Sequence, residues 1–284
     1  MANLKEVRSR ISSVSSTMKI TSAMKMVSAA KLKKSQEQMQ NIKPYSEALH
    51  NVIDNILPTI NRSEIKLCFS PRDNEKTLVL AISSNRGLCG GFNANIFKKI
   101  KHLNPMDVDI VCVGKKAKEQ FERNNYNVIE SHLDILDNPK IDKSRNLSES
   151  IINKFKNGEY SSIKIVYNKF KNAATQITQL EHILPIQTNE SINSSLSSDY
   201  IFEPNKTNII NNIIPEKIHT HVFESILNSI ASEHGARMTA MHKATDNAEE
   251  LRQALTLSYN RQRQAAITNE ILEIVAGAEA LKNT

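Results

Sequence analysis

Tryptophan is absent from the 284 residues, aromatic side chains make up 5%, and glycine occurs only seven times, never before Gly87. A chain poor in large rings packs through aliphatic and small side chains, and a first third without glycine lacks the residue that most readily frees the backbone for a turn. Both features point to long helix near the N-terminus. The three cysteines, Cys68, Cys89 and Cys112, are odd in number and never spaced C-x-x-C. That excludes an evident disulfide framework or zinc site and suggests reduced thiols in a cytoplasmic protein. No apolar run approaches the roughly 18 residues needed to span a bilayer, and none follows Met1 as a signal-peptide core would, so the chain reads as soluble and not secreted.

Signatures of chemistry are also missing. SNRGLCGGFN (Ser84 to Asn93) joins a strand to a helix, where a phosphate cradle would sit. Its glycines nevertheless follow neither G-x-G-x-x-G nor the P-loop spacing, and Gly114-Lys115-Lys116 lacks the hydroxyl residue that would hold magnesium. The eight histidines are dispersed, none in H-E-x-x-H, and no G-x-S-x-G elbow occurs. His219 and His221 share a face only on a strand; on a helix they point apart. No catalytic constellation, cofactor site or metal site is read, and the absence favours a mechanical or scaffolding role.

What is present is a strong asymmetry of charge. Net charge is +7, and all of it lies between Met1 and Lys43, where nine Lys and Arg face two Glu; the remainder is balanced. A basic helix suits nucleic acid, a membrane surface or an acidic protein partner. The same segment, Ser-rich and acid-poor, also reads as a transit peptide.

Periodicity places two long helices around a mixed centre. Leu4, Val7, Ile11, Val14, Met18 and Thr21 recur at alternating three and four, the seam of a left-handed coiled coil. The stripe is expected to shift through Ile20, Met24, Val27 and Leu32 and to run until Pro44. At the other end, beyond Pro215, apolar or small residues recur at Val222, Ile226, Ile230, Met238, Met241, Ala248, Leu251, Leu255 and Ser258. A closing stripe follows at Ile267, Ile271, Ile274, Ala278 and Leu281. Each helix alone would expose its stripe, so the two are expected to pair as an antiparallel two-helix coiled coil. Between them strands and helices alternate: Thr77 to Ser83, a helix from about Asn93 to His102, Val108 to Val113, and a helix from about Lys115 to Arg123. A weaker strand near Val128, a helix from about Leu147 to Lys156, and strands at Ile163 to Tyr167 and Gln176 to Leu184 complete the run. Near-continuous apolar strands imply a small Rossmann-like α/β domain with a mainly parallel sheet. A loop is expected from Asn189 to Asn212, and the divisions are residues 1–60, 75–190 and 210–284.

Four strings go further: MKITSAMKMVSAAKLKKSQ (Met18 to Gln36), SNRGLCGGFN, ASEHGARMTAMHKATDNAEEL (Ala231 to Leu251) and NRQRQAAITNEILEIVAGAEAL (Asn260 to Leu281). Together, and in this order, they resemble the gamma subunits of F-type ATP synthases. The likeness is weak between Glu130 and Ser198. Because the first string belongs to the mature part of that family, the resemblance sets the transit-peptide reading aside. The lack of the cysteine-bearing insertion of chloroplast relatives implies a bacterial source.

The resemblance implies a non-catalytic rotor shaft inside a hexameric ring of alpha and beta subunits, standing on the epsilon subunit and the c-ring of the membrane sector. No cofactor and no nucleic acid are implied. Localisation would be peripheral, on the cytoplasmic side of the inner membrane, with membrane association only through the complex. Carried over by motif, Met24 and Lys25 would lie near the beta-subunit lever loops. Arg263 and Gln264 would meet a beta-subunit catch loop, with Thr268 and Glu270 close by, and Asp199, Tyr200 and Glu203 would meet epsilon. The alternative from another class is a coiled-coil nucleic-acid-associated structural protein, prompted by the basic N-terminal helix.

Overall fold

The computed structural model describes residues 4–56, 76–186, 203 and 205–282. In chain order these form α1 (Leu4–Ile56), β1 (Thr77–Ile82), α2 (Phe92–Ile100), β2 (Val108–Val113), α3 (Lys115–Arg123), β3 (Asn127–His132), α4 (Ile141–Lys156), β4 (Ser162–Phe170), β5 (Gln176–Leu184) and α5 (Lys206–Lys282). They fall into two compact units, one of residues 1–27 with 238–284 and one of residues 28–237.

The larger unit holds a five-stranded sheet in the order β3-β2-β1-β4-β5. β1, β2, β3 and β4 run parallel, and β5 returns antiparallel to β4. Every residue of β1 from Leu78 to Ile82 is buried because both faces are covered. Leu78, Leu80 and Ile82 face a core built with Leu147, Ile151 and Phe155 of α4 and with Ile210, Ile214, Ile218, Val222 and Ile226 of α5. Val79 and Ala81 face the opposite core, with Phe92, Ile96 and Ile100 of α2 and with Ala117 and Phe121 of α3. The α/β expectation is thus met by a doubly covered sheet.

The helix boundaries of α1, α4 and α5 differ most from the sequence reading. α1 passes through Pro44 and ends at Ile56; α5 begins at Lys206 and passes through Pro215, so part of the expected loop is helix. A proline inside a helix costs about 3 kcal/mol. Beyond Pro44, Ile53 and Ile56 are buried, and around Pro215 so are Ile210, Ile214 and Ile218. Each such side chain returns roughly 1.5–3 kcal/mol, so burial outweighs the local penalty. α4 starts six residues before the expected Leu147 because Ser144 and Ser148 stand on its buried face and disguise the apolar stripe.

The smaller unit pairs the two ends of the chain. Thr21 Oγ1 lies 2.8 Å from Thr245 Oγ1, and Lys25 Nζ lies 3.4 Å from His242 Nδ1. One number rises as the other falls, so the helices are antiparallel. Of the positions expected for the shifted α1 stripe, Ile20 and Val27 are exposed, Met24 is half-buried and Leu32, in the larger unit, is buried, as are Thr21 and, in the larger unit, Ser28 and Ser35. The spacing of three and four simply continues through small polar residues. Thr21 donates to Met18 O at 3.1 Å and Ser35 to Lys31 O at 2.9 Å, so these hydroxyls enter the seam without an unpaired group. Leu251 is likewise exposed, and Arg252 beside it pairs with Glu249 of its own helix at 2.7 Å.

Candidate functional site

The strand–loop–helix corner at the end of β1 has the topology of a phosphate site, and its hydrogen bonds show what it does instead. The first amides of α3 are taken: Ala117 N–H donates to Ser83 Oγ at 2.8 Å, Lys116 N–H to Ser84 O at 3.0 Å and Lys115 N–H to Asn85 Oδ1 at 3.1 Å. A helix N-terminus attracts anions through its unpaired amides, and here β1's own continuation fills them. Gly114 permits the fit, with φ 104° and a position where a Cβ would stand 2.7 Å from Ser83 Oγ.

The glycine-containing loop is tied at both ends. Ser84 Oγ donates to Arg86 O at 2.6 Å, and Ser84 N–H to Asn93 Oδ1 at 3.1 Å. From α5, Arg237 Nη2 reaches Arg86 O at 3.1 Å and Gly87 O at 3.3 Å. Arg237 is paired with Glu233 at 2.7 Å. Burial pushes the Glu233 carboxyl up despite that partner. Burial, with Arg237 and Lys31 nearby, lowers His234 to about 4. The two described thiols are held protonated as well, with Cys89 raised and Cys112 pushed up to about 12 by burial. His219 and His221 do point apart: His219 Nδ1 sits 2.5 Å from Ser148 Oγ in the interior, and His221 Nε2 lies 3.1 Å from Glu181. Among the described residues no three His, Cys, Asp or Glu side chains are grouped to hold a metal ion.

The residues named for partner contact are spread over the two units. Met24 and Lys25 are half-buried on α1, and Lys25 occupies a seam position beside His242 rather than standing free on the surface. Arg263, Gln264, Thr268 and Glu270 are all exposed on α5, with Thr268 Oγ1 donating to Gln264 O at 3.0 Å. Glu203 is exposed, while Asp199 and Tyr200 lie outside the described residues.

One feature of the same stretch escaped the sequence reading. Counted back from the Thr21–Thr245 pair, Leu4 comes level with Gln262, so α5 continues for about 20 residues at 1.5 Å each after the described part of α1 has ended. Its closing stripe is therefore uncovered: Ile267, Ile271, Leu272, Ile274 and Val275 are exposed, Ile274 to 72%. Unequal helix lengths, already countable in the sequence, were the available signal.

A sequence-family model described as ATP synthase matches residues 3–281. The chain is 50% identical to the ATP synthase gamma chain of Flavobacterium johnsoniae, over 99% of both chains. Among solved structures it resembles a chain of the Euglena gracilis mitochondrial ATP synthase (OSCP/F1/c-ring, rotational state 3), with TM-score 0.71 and 20% identity over 98% of this chain and 94% of that one. It also resembles a chain of the central stalk/c-ring structure of Tetrahymena thermophila mitochondrial ATP synthase, with TM-score 0.60 and 24% identity over 79% of this chain and 99% of that one. At these identities the two structures attest the fold. Nothing in the relatives supports the nucleic-acid alternative.

Proposed function

This chain belongs to the ATP synthase gamma chain family, and from that premise we propose that it is the central rotor shaft of an F-type ATP synthase. It couples ion flow through the membrane sector to ATP synthesis or hydrolysis on catalytic beta subunits and has no active site of its own. Its partners are the alpha–beta hexamer, the epsilon subunit and the c-ring. It is peripheral on the cytoplasmic side of a bacterial inner membrane, which it meets only through the complex. Among the described residues no helix is long and apolar enough to cross a membrane.

The observation that carries this reading is the uncovered end of α5. Five large aliphatic side chains between Ile267 and Val275 face solvent on a helix that continues past the described part of α1. Covering half-exposed side chains of this size is worth on the order of 1 kcal/mol each, so the stretch is suited to seating inside another protein. Arg263, Gln264, Thr268 and Glu270 on the same helix supply the polar contacts to a beta-subunit catch loop. Met24 and Lys25, with the exposed Ile20, Met26 and Val27 around them, supply the face toward the beta-subunit lever loops. Asp199, Tyr200 and Glu203 supply the contact with epsilon.

An asymmetric shaft in a pseudo-threefold collar touches each catalytic subunit differently, so each orientation favours a different open or closed state in each. Linkage makes the effect reciprocal: nucleotide binding and hydrolysis favour particular orientations of the shaft. Purification of the tagged chain from its own cells tests the assignment. Alpha, beta and epsilon subunits are expected to co-purify in a fixed ratio, and their absence from the eluate would refute it.

A further inference from the structure

The Glu233–Arg237 pair reaches beyond the packing of its own helix. The two side chains are only 10% and 9% exposed and lie 2.7 Å apart. The guanidinium also reaches main chain: Nη2, the nitrogen that meets Glu233, lies 3.1 Å from Arg86 O and 3.3 Å from Gly87 O, and Nε donates to Gly87 O at 3.3 Å. Nη1 lies 3.5 Å from His234 Nδ1. Carbonyl oxygens carry no side-chain identity, so these bonds specify where the loop is, not what it is made of.

The residue next to the clamped carbonyls has an unusual backbone. Leu88 has φ 62°, a left-handed conformation that a leucine adopts at a cost, and it is 64% exposed. Such strain persists only where surrounding structure enforces it and clusters at functional sites. The anchor is firm. Phe170 N–H donates to Asn228 Oδ1 at 3.4 Å and Ser232 Oγ donates to Asn168 O at 2.8 Å. A Cβ on Gly235 would come within 3.2 Å of Ala173 Cα, so α5 lies close against the β4–β5 turn. The loop's far end is fixed too, by Asn168 Nδ2 donating to Phe92 O at 3.1 Å.

We propose that Arg237, oriented by Glu233, is a positioning residue for coupling: it locks the Arg86–Leu88 loop to α5 so that helix and loop move as one contact surface when the shaft turns. This rests on the rotor reading above. Charge alone does not suffice, because a lysine ammonium at this position keeps the pair with Glu233 but lacks the planar fork that spans both carbonyls.

Two variants test it. Arg237→Lys keeps the charge. Glu233→Leu with Arg237→Met removes both charges and leaves none buried alone, the kind of replacement that folds well elsewhere. In the purified full-length chain, trypsin cleavage after Arg86 is expected to rise about tenfold or more in both, since the hydrogen bonds that hold the loop closed are lost. In the assembled complex, ions pumped per ATP hydrolysed are expected to fall at least about twofold while ring assembly is retained, because the coupling between sites is what weakens. Unchanged cleavage would overturn the latch. Faster cleavage with an unchanged pumping ratio would overturn its role in coupling, and so would failure of both variants to assemble, which marks a purely structural pair. Failure of the rotor reading itself shows separately, as a wild-type chain that does not assemble or pump.

Discussion

Thr21 Oγ1 and Thr245 Oγ1 meet at 2.8 Å, so the two terminal helices touch through a hydroxyl pair in the middle of a seam that begins as aliphatic. Both hydroxyls also lie within reach of a carbonyl on their own helix, Met18 O at 3.1 Å and Met241 O at 2.8 Å. Thr21→Val alone is expected to lose up to about 1 kcal/mol. The double change Thr21→Val with Thr245→Val is expected to recover that loss, since replacing both partners with apolar groups of the same shape is nearly neutral. Thermal unfolding of the three proteins checks the order; a double variant less stable than the single one contradicts it.

At the end of β2, Gly114 combines a left-handed φ of 104° with a Cβ position 2.7 Å from Ser83 Oγ, the atom that caps α3 through Ala117 N–H. Gly114→Ala therefore adds backbone strain, about 1–3 kcal/mol, to a disturbed cap, about 0.5–2 kcal/mol. A loss of roughly 2–4 kcal/mol in denaturant unfolding is expected.

Stability should fall on mild acidification. Burial lowers the imidazoles of His182, His219 and His234, the last to about 4. Folded, they stay neutral; unfolded, they take up a proton near pH 6.5. Below about 6.5 the unfolded chain thus binds more protons, and stability is lost as pH drops toward the folded values. Glu130 and Glu181, held below the usual carboxylate range, add to the loss only below about pH 4.5. Between pH 7 and 5 the buried histidines work against Glu233, whose carboxyl is raised by burial and so favours the folded chain on acidification; melting temperatures over that range report the balance, and His234→Gln should reduce the loss on acidification.

Arg263 and Gln264 are exposed on α5 immediately before its uncovered aliphatic stretch. Arg263→Ala with Gln264→Ala is expected to leave assembly intact and to lower ATP synthesis severalfold, as the loss of one or two polar contacts at an interface would. Synthesis by membranes carrying the double variant is the measurement, and an unchanged rate speaks against this contact.

Much of the fold was legible because its strands are short apolar runs bounded by turns: Val108–Val113 keeps the expected bounds, and Thr77–Ile82 ends one residue early. Errors arose where distant packing overrode a local rule. Pro44 and Pro215 read as helix boundaries, but the isoleucines beyond them belong to the core. Ser28 and Ser35 add nothing to the apolar periodicity, yet both are buried. At the site, Arg237 looked like one cation among many on a long helix; only three-dimensional closeness to Arg86 and Gly87 distinguishes it. The stripe of Ile267, Ile271 and Ile274 was visible as a pattern, but its position past the described part of α1 followed from the register fixed by Thr21 and Thr245.

Met106, 81% exposed in the larger unit, offers a place to attach a bead through Met106→Cys in a chain that also carries Cys68→Ser, while Cys89 and Cys112 are buried. With the complex fixed by its alpha–beta ring and supplied with ATP, the bead is expected to turn continuously in one direction, advancing about a third of a turn per ATP in keeping with three catalytic positions. A bead that stays still while the same molecules hydrolyse ATP would contradict a turning shaft.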